Sequence, residues 1–157
     1  MTQSPAMLAT RDLYRRFVDG WNDHRADLVA TAMDPAGIMI GFDGAVLRGP
    51  AEVEQAFSLV FREHNPHRIV PIERSMQMLA PTVCRYLGDV GFIDPTSQEL
   101  AEQLNARQTL IAVLAESGWR IHLLQTTPAA TFAPPGAQLA LSEELRTMQQ
   151  RLAQSGA

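Results

Sequence analysis

The chain has 157 residues, a length that fits one domain built around a single core. Hydrophobic residues make up 46% and charged residues 19%, as is ordinary for a soluble globular protein. The formal net charge of -4 gives no electrostatic reason to bind nucleic acid or an anionic membrane, so we expect neither as a partner.

The N-terminal half is predicted to begin with helices. Apolar residues at helical spacing indicate a first helix over residues 8–21 and a second over residues 22–33. Gly20 is interpreted as a break between them, and Asn22 as the N-cap of the second helix. A short hairpin follows, with strands over residues 37–42 and 45–48 joined by an Asp43-Gly44 turn. Pro50 begins a third helix, which ends before Asn65-Pro66.

After residue 67 the hydrophobic period changes from 3.6 to two. This change predicts four strands joined mostly by short turns, which is typical of an antiparallel meander. The predicted strands cover residues 68–79, 82–91, 105–115 and 119–127. Cys84, the only cysteine, lies in the second of these and is interpreted as a small buried hydrophobe rather than a nucleophile. Its use fits a reducing cytoplasm.

The C-terminal part is predicted to be separate from the meander. Three prolines mark residues 128–136 as a linker, and Leu141, Leu145, Met148 and Leu152 form a helical stripe over residues 141–152. We therefore divide the chain into a domain over residues 1–130 and a linker with a C-terminal helix over residues 131–157. The stripe would pack on its own sheet or on another subunit.

Short motifs along residues 8–130 together resemble one known family. They are Trp21-Asn22, Ile40-Gly41-Phe42-Asp43-Gly44, Arg48-Gly49, His64, Asn105-Ala106-Arg107-Gln108-Thr109, Gly118-Trp119-Arg120-Ile121 and Gln125-Thr126-Thr127-Pro128-Ala129. Their order is similar to the SgcJ/EcaC branch, a SnoaL-like group of the nuclear transport factor 2-like superfamily found among secondary-metabolism genes. One departure is Thr126, where the group has asparagine, so no amide role is carried over to that position.

The resemblance implies an α+β cone, in which a curved antiparallel sheet and N-terminal helices surround a pocket, and it implies a homodimer formed through the sheet. The group carries an oxidoreductase label. The sequence has no glycine-rich dinucleotide fingerprint and no P-loop, so we expect no cofactor. Elsewhere in the superfamily there are isomerases, dehydratases, epoxide hydrolases, cyclases and binding modules, and the fold alone does not choose among them.

Candidate site residues follow from the motifs and from strand alternation. His64 would be a general acid or base, or else a helix-terminal residue that satisfies free carbonyls. Asp43 would be a pocket carboxylate, or an ordinary turn residue. The four histidines form no metal-binding pair, so no metal is expected. Candidate ligand-binding residues are Trp21, Arg74, Tyr86, Asn105, Arg107, Gln125 and Thr127.

Pairing of the last two strands about Ser117 would place Arg107 opposite Thr127 and Thr109 opposite Gln125. Arg107 and Gln125 would then be diagonal neighbours facing one cavity, where they would bind an oxygen of the ligand. Alternation also puts Trp119 on the same face as Gln125. Three functions stay open: an enzyme acting on a small apolar, polyketide-like molecule, a non-catalytic binding domain, and a structural dimeric module.

Overall fold

The computed structural model describes residues 3–129 and 136–156. Its elements are α1 (Pro5–Asn22), α2 (Ala26–Ala30), β1 (Met33–Ile40), β2 (Val46–Arg48), α3 (Gly49–Glu63), β3 (Arg68–Ala80), β4 (Val83–Ile93), one turn of 3-10 helix (Glu102–Leu104), β5 (Ala106–Ala115), β6 (Gly118–Pro128) and α4 (Ala137–Gln154). None of the helices in these two stretches is long and apolar enough to cross a membrane.

The six strands form one sheet in the order β2-β1-β6-β5-β4-β3. Neighbouring strands are antiparallel except β1 and β6, which run parallel. The predicted α+β fold, with N-terminal helices, a hairpin, a third helix and a meander, is confirmed. The first strand begins earlier than predicted, at Met33, because the second helix ends at Ala30.

The first three helices cover one face of the sheet, which we call the inner face. Buried side chains of α1, including Tyr14 and Phe17, pack there with Val53 and Phe57 of α3 and with Leu110 and other strand residues. The interpretation of Gly20 as a helix break is wrong, since α1 continues to Asn22. A Cβ atom at Gly20 would lie 2.5 Å from Cγ2 of Val29, so glycine is needed for the close packing of α1 on α2.

Helix α4 packs on the opposite, outer face, over β3 and β4. Leu145 is fully buried there and forms a second apolar cluster with Val70, Ile93 and Leu100. A Cβ at Gly91 would lie 2.6 Å from Cδ1 of Leu100, so the lack of a side chain makes room for this cluster. The predicted C-terminal helix is thus confirmed and packs on its own sheet. Most of the predicted linker, residues 130–135, lies outside the described residues, and the domain boundary at residue 130 stays a prediction.

Strands β5 and β6 pair as predicted, with Arg107 opposite Thr127 and Thr109 opposite Gln125. The pairing changes between the Ile111–Leu123 and Ala112–Ile121 pairs, which leaves His122 as an extra residue on β6. Such a bulge reverses the alternation of the strand that carries it. Trp119 therefore packs with the inner-face core, whereas Gln125 lies on the outer face, and the prediction that these two share a face is wrong.

Candidate functional site

A cavity of ≈330 Å³ lies on the inner face, between α1, α3 and the hairpin. Its walls are mostly aromatic and aliphatic side chains, because the apolar stripes of both helices face the sheet here. The lining residues are Phe17, Trp21, Met39, Ile40, Gly41, Phe42, Asp43, Ala45, Leu47, Ala56, Phe57, Val60, Ile69, Phe92, Gln108, Leu124 and Thr126.

Of the predicted ligand-binding residues, Trp21 lines this cavity. Its ring contacts Phe57 and Phe61 edge-on, with centroid distances of 5.3 and 5.5 Å. Its indole Nε1 donates to the carbonyl of His67 at 2.8 Å, so the ring presents only apolar surface to the cavity. The hydrogen bond to His67, just before β3, and the ring contacts with α3 hold the indole in one position.

Asn22 has a different role from the predicted one. It ends α1, and its side chain bonds to both backbone groups of Ile69: Nδ2 donates to the carbonyl at 3.1 Å, and Oδ1 accepts from the N–H at 2.7 Å. The amide therefore replaces a neighbouring strand at this point of β3. The Trp21-Asn22 motif fixes the end of α1 to the start of β3.

A buried polar chain crosses the core and ends at the cavity wall. The phenol of Tyr14 donates to Oε1 of Gln108 at 2.6 Å, and Nε2 of Gln108 donates to Oγ1 of Thr126 at 3.0 Å. Gln108 is 1% exposed, so its amide depends on these two partners. The sequence did not identify these three residues as a site. Alternation places Gln108 and Thr126 together on the face opposite Arg107 and Gln125, but it does not tell which of the two faces is the inner one.

Tyr86, another predicted ligand-binding residue, lies in the core and does not line the cavity. Its ring stacks on that of Tyr14 at a centroid distance of 4.1 Å. Burial raises the pKa of both phenols, that of Tyr14 well above its usual range, so both keep their protons. The phenols are therefore hydrogen-bonding groups and not acid–base groups at neutral pH.

Arg74 and Arg107 lie on the outer face, where both bind one carboxylate. Asp89, whose side chain is 3% exposed, accepts from Nε of Arg74 at 2.7 Å and from Nε of Arg107 at 2.8 Å. Arg74 also binds Glu144 of α4 at 2.8 Å. Gln125 shares this face with Arg107, but the prediction that the pair faces the cavity is wrong. The physical reason is that β5 turns its even-numbered residues inward, and β6 follows this alternation beyond its bulge.

The two remaining predicted ligand-binding residues also lie away from the cavity. Thr127, opposite Arg107, is exposed. Asn105 is 2% exposed, and its Nδ2 donates to Oγ of Ser142 at 2.8 Å. Asn105 therefore links the start of β5 to α4 rather than facing a ligand.

The two predicted catalytic residues lie in different surroundings. His64 is exposed at the C-terminus of α3 and does not line the cavity. Asp43 is exposed at the mouth of the cavity, and its Oδ1 accepts from the N–H of Ala45 at 2.9 Å, as a turn residue does. His64, Asp43 and Arg107 are not brought together.

A second, larger depression of ≈730 Å³ runs between α1 and the end of α4, along the edge of β3. It is less apolar than the smaller cavity, and some of its charged side chains already have partners. Arg11 binds Glu73 through two bonds of 2.8 Å, and Arg68 donates to the carbonyl of Asn22 at 3.3 Å. We take the smaller cavity as the candidate site because its walls are the more apolar of the two.

Within the described residues, no three histidine, cysteine, aspartate or glutamate side chains are grouped so that they could hold a metal ion. Cys84 is fully buried, in agreement with its interpretation as a small hydrophobe.

No family model matches the sequence, and no curated protein matches it. Solved structures do share its fold. A domain of unknown function with a cystatin-like fold from Nostoc punctiforme superimposes with a TM-score of 0.77 at 18% identity, over 94% of this chain and 99% of that one. A ketosteroid isomerase-like protein from Erwinia carotovora atroseptica gives a TM-score of 0.64 at 9% identity, over 82% and 100% of the two chains.

An NTF-2 like protein of unknown function from Shewanella oneidensis gives a TM-score of 0.61 at 13% identity, over 74% of this chain and 94% of that one. Identities this low establish the fold and not the activity. The chain thus has the nuclear transport factor 2-like fold that its motifs predicted. Its place in the SgcJ/EcaC branch stays a prediction.

Proposed function

We propose that this chain binds a small, uncharged and largely apolar molecule in the cavity between α1, α3 and the sheet. The observation that carries the proposal is the lining, in which mostly aromatic and aliphatic side chains surround a half-open cavity of ≈330 Å³, a volume typical of small-ligand pockets. The resemblance to the SgcJ/EcaC branch extends the proposal to a polyketide-like metabolite of secondary metabolism, bound in the cytoplasm.

The two tryptophans offer a direct test, since Trp21 lines the cavity and Trp119 does not. In a Trp119→Phe chain, the neutral dye N-phenyl-1-naphthylamine should quench the remaining indole on titration. Adding Ala56→Phe fills the cavity from α3 and should abolish the quenching. Adding Ala51→Phe instead, on the exposed side of the same helix, should leave it unchanged. Equal quenching in both double variants would contradict binding in this cavity.

Catalysis is the second candidate, and the position of Asp43 at the cavity mouth favours it. A carboxylate there would remove a proton next to the carbonyl of a bound ketone. Deuterium uptake from D2O at the α-carbon of 1-tetralone, followed by NMR, should then be accelerated by the protein and not by an Asp43→Asn variant. Equal exchange with both chains would leave binding as the function.

We also propose a homodimer formed through the outer face. Helix α4 covers the β3–β4 end of this face, while half-buried aliphatic side chains continue across β5, β6 and β1. They are Ile38, Ile111, Val113 and Leu123. Two apolar faces on one sheet need cover on both sides, and a second copy would supply it. Light scattering should give twice the mass of one chain at micromolar concentration. A stable monomer would contradict the dimer.

A further inference from the structure

The polar groups of the cavity wall differ in what they can offer a ligand. The polar side chains in the lining are Trp21, Asp43, Gln108 and Thr126. The Trp21 N–H is already donated to a backbone carbonyl, and an Asp43 oxygen accepts a backbone N–H at the exposed mouth. Inside the cavity, Gln108 and Thr126 therefore provide the side-chain hydrogen bonds.

The buried chain fixes the direction of these hydrogen bonds. The Tyr14 phenol donates to Oε1 of Gln108, which turns the NH2 group of the amide toward Thr126. Oγ1 of Thr126 accepts one of the two hydrogens of that NH2 group. Among the described residues, the Thr126 hydroxyl donates to no protein atom, so its hydrogen is free to rotate toward a ligand. Because Thr126 lines the cavity, the wall presents a hydrogen-bond donor among apolar side chains.

The charge of the lining restricts the ligand further. No arginine, lysine or histidine belongs to the residues that line the cavity, and Asp43 lies at its solvent-exposed mouth. A ligand cation or anion inside would lose its water without gaining an opposite charge, which is costly. A neutral molecule with one accepting oxygen would accept a hydrogen bond from this donor and make apolar contact with the rest of the walls.

We propose that the ligand of this cavity carries a carbonyl oxygen, which accepts a hydrogen bond from the Thr126 hydroxyl as oriented by Gln108. This inference rests on the proposed function, since it specifies the chemical class bound at the same site. Thr126 is the residue that touches the ligand, and Tyr14 is a positioning residue that acts through Gln108.

The test compares ligands of nearly equal shape, measured by displacement of N-phenyl-1-naphthylamine. They are tetralin, which has no polar atom, 1-tetralone, which has a carbonyl acceptor, and indoline, which has an N–H donor. Wild type should bind 1-tetralone about five- to tenfold more tightly than tetralin, as one neutral hydrogen bond allows. Indoline should gain nothing over tetralin.

Variants assign the preference to the proposed donor. Thr126→Val keeps the shape of the side chain and should bring the affinities for ketone and hydrocarbon together, whereas Thr126→Ser should restore the ratio. Thr127→Val, at the exposed neighbour on the outer face, should leave it unchanged. Tyr14→Phe should reduce the ratio because the Gln108 amide is no longer held in one orientation. A thermal melt of each variant checks that it is folded.

The outcomes separate this inference from the one it rests on. If tetralin and 1-tetralone bind wild type equally, the carbonyl inference is wrong and the cavity is still a ligand site. If indoline binds most tightly, the wall accepts rather than donates, and the inference is again wrong. If none of the three displaces the dye and the dye itself does not bind, the proposed function fails, and this inference with it.

Discussion

Adjacent residues of β5 serve two different regions of the molecule. Gln108 points inward, where it joins Tyr14 to Thr126 at the cavity wall. Arg107 points outward, where it binds the Asp89 carboxylate that also holds Arg74. The inner polar chain is neutral and ends at the cavity wall, whereas the outer network is ionic and ends at α4.

The comparison shows that the ionic network around Asp89 and the candidate cavity lie on opposite faces of this sheet. An arginine on a strand suggests anion binding, yet here its natural partner is an acidic residue on the next strand. The residues suited to hold a neutral ligand are a glutamine and a threonine, whose side chains are common in any core. We expect substitutions on the outer face to lower stability and to leave ligand affinity unchanged.

The largest effect is expected under α4. Leu145→Ala should lower the free energy of unfolding by about 2–5 kcal/mol, because it removes a fully buried side chain and leaves a cavity. Urea denaturation followed by circular dichroism measures it. Leu139→Ala on the same helix is the control, since that side chain is 58% exposed and its loss should matter by less than about 0.5 kcal/mol. Equal losses in both variants would show that α4 is not docked at Leu145.

A smaller effect is expected at the ionic network. Asp89→Ala should cost about 1–2 kcal/mol, less than a fully buried pair, because the Arg74 and Arg107 side chains are 35% and 58% exposed and reach water. Asp12→Ala, at an exposed carboxylate 3.6 Å from Arg15, should be near zero. Dye affinity should be the same in both variants. A several-fold loss of dye affinity in Asp89→Ala alone would show that the outer face influences binding in the cavity.

The smallest effect is expected at the edge of the sheet and depends on pH. The hydrogen bonds from Arg11 lower the pKa of Glu73 in the folded protein, so this pair stabilises the fold above the unfolded pKa of about 4.3. That stabilisation is lost as the pH falls through the lowered value. The free energy of unfolding of wild type should exceed that of Glu73→Gln by less than about 1 kcal/mol at neutral pH, and this difference should shrink as the pH falls below about 4.3. A difference that grows toward acid pH would contradict the assignment.

The elements of this fold could be predicted because their signals are local. The change of period after residue 67 placed all four long strands to within two residues, and Asn65-Pro66 marked the end of α3. The end of α1 was harder to predict. In the sequence, a glycine that breaks a helix looks the same as one that allows a close contact, as Gly20 does. Only the tertiary contact with Val29 decides between them.

The site was harder to predict for the same reason. Which face of β5 is inner depends on where the helices pack, and alternation alone gives two equal answers. The bulge at His122 reverses the side-chain alternation within β6, and the local sequence gives no signal of it. Arg107 and Gln125 were correctly placed beside each other and assigned to the wrong side, while Asp89, the ionic partner of Arg107, was not recognised.

The amide of Asn22 has a consequence for how the protein behaves at high concentration. Strand β3 is the last strand of the sheet, and a free edge of this kind invites another chain to add its own strand. At Ile69 the Asn22 side chain already occupies both backbone groups, and two positions later Pro71 has no N–H to offer. A register shift follows between Glu73 and Ser75. These interruptions make the first half of β3 a poor template for an added strand, so the motif that anchors α1 also blocks this stretch of the sheet edge.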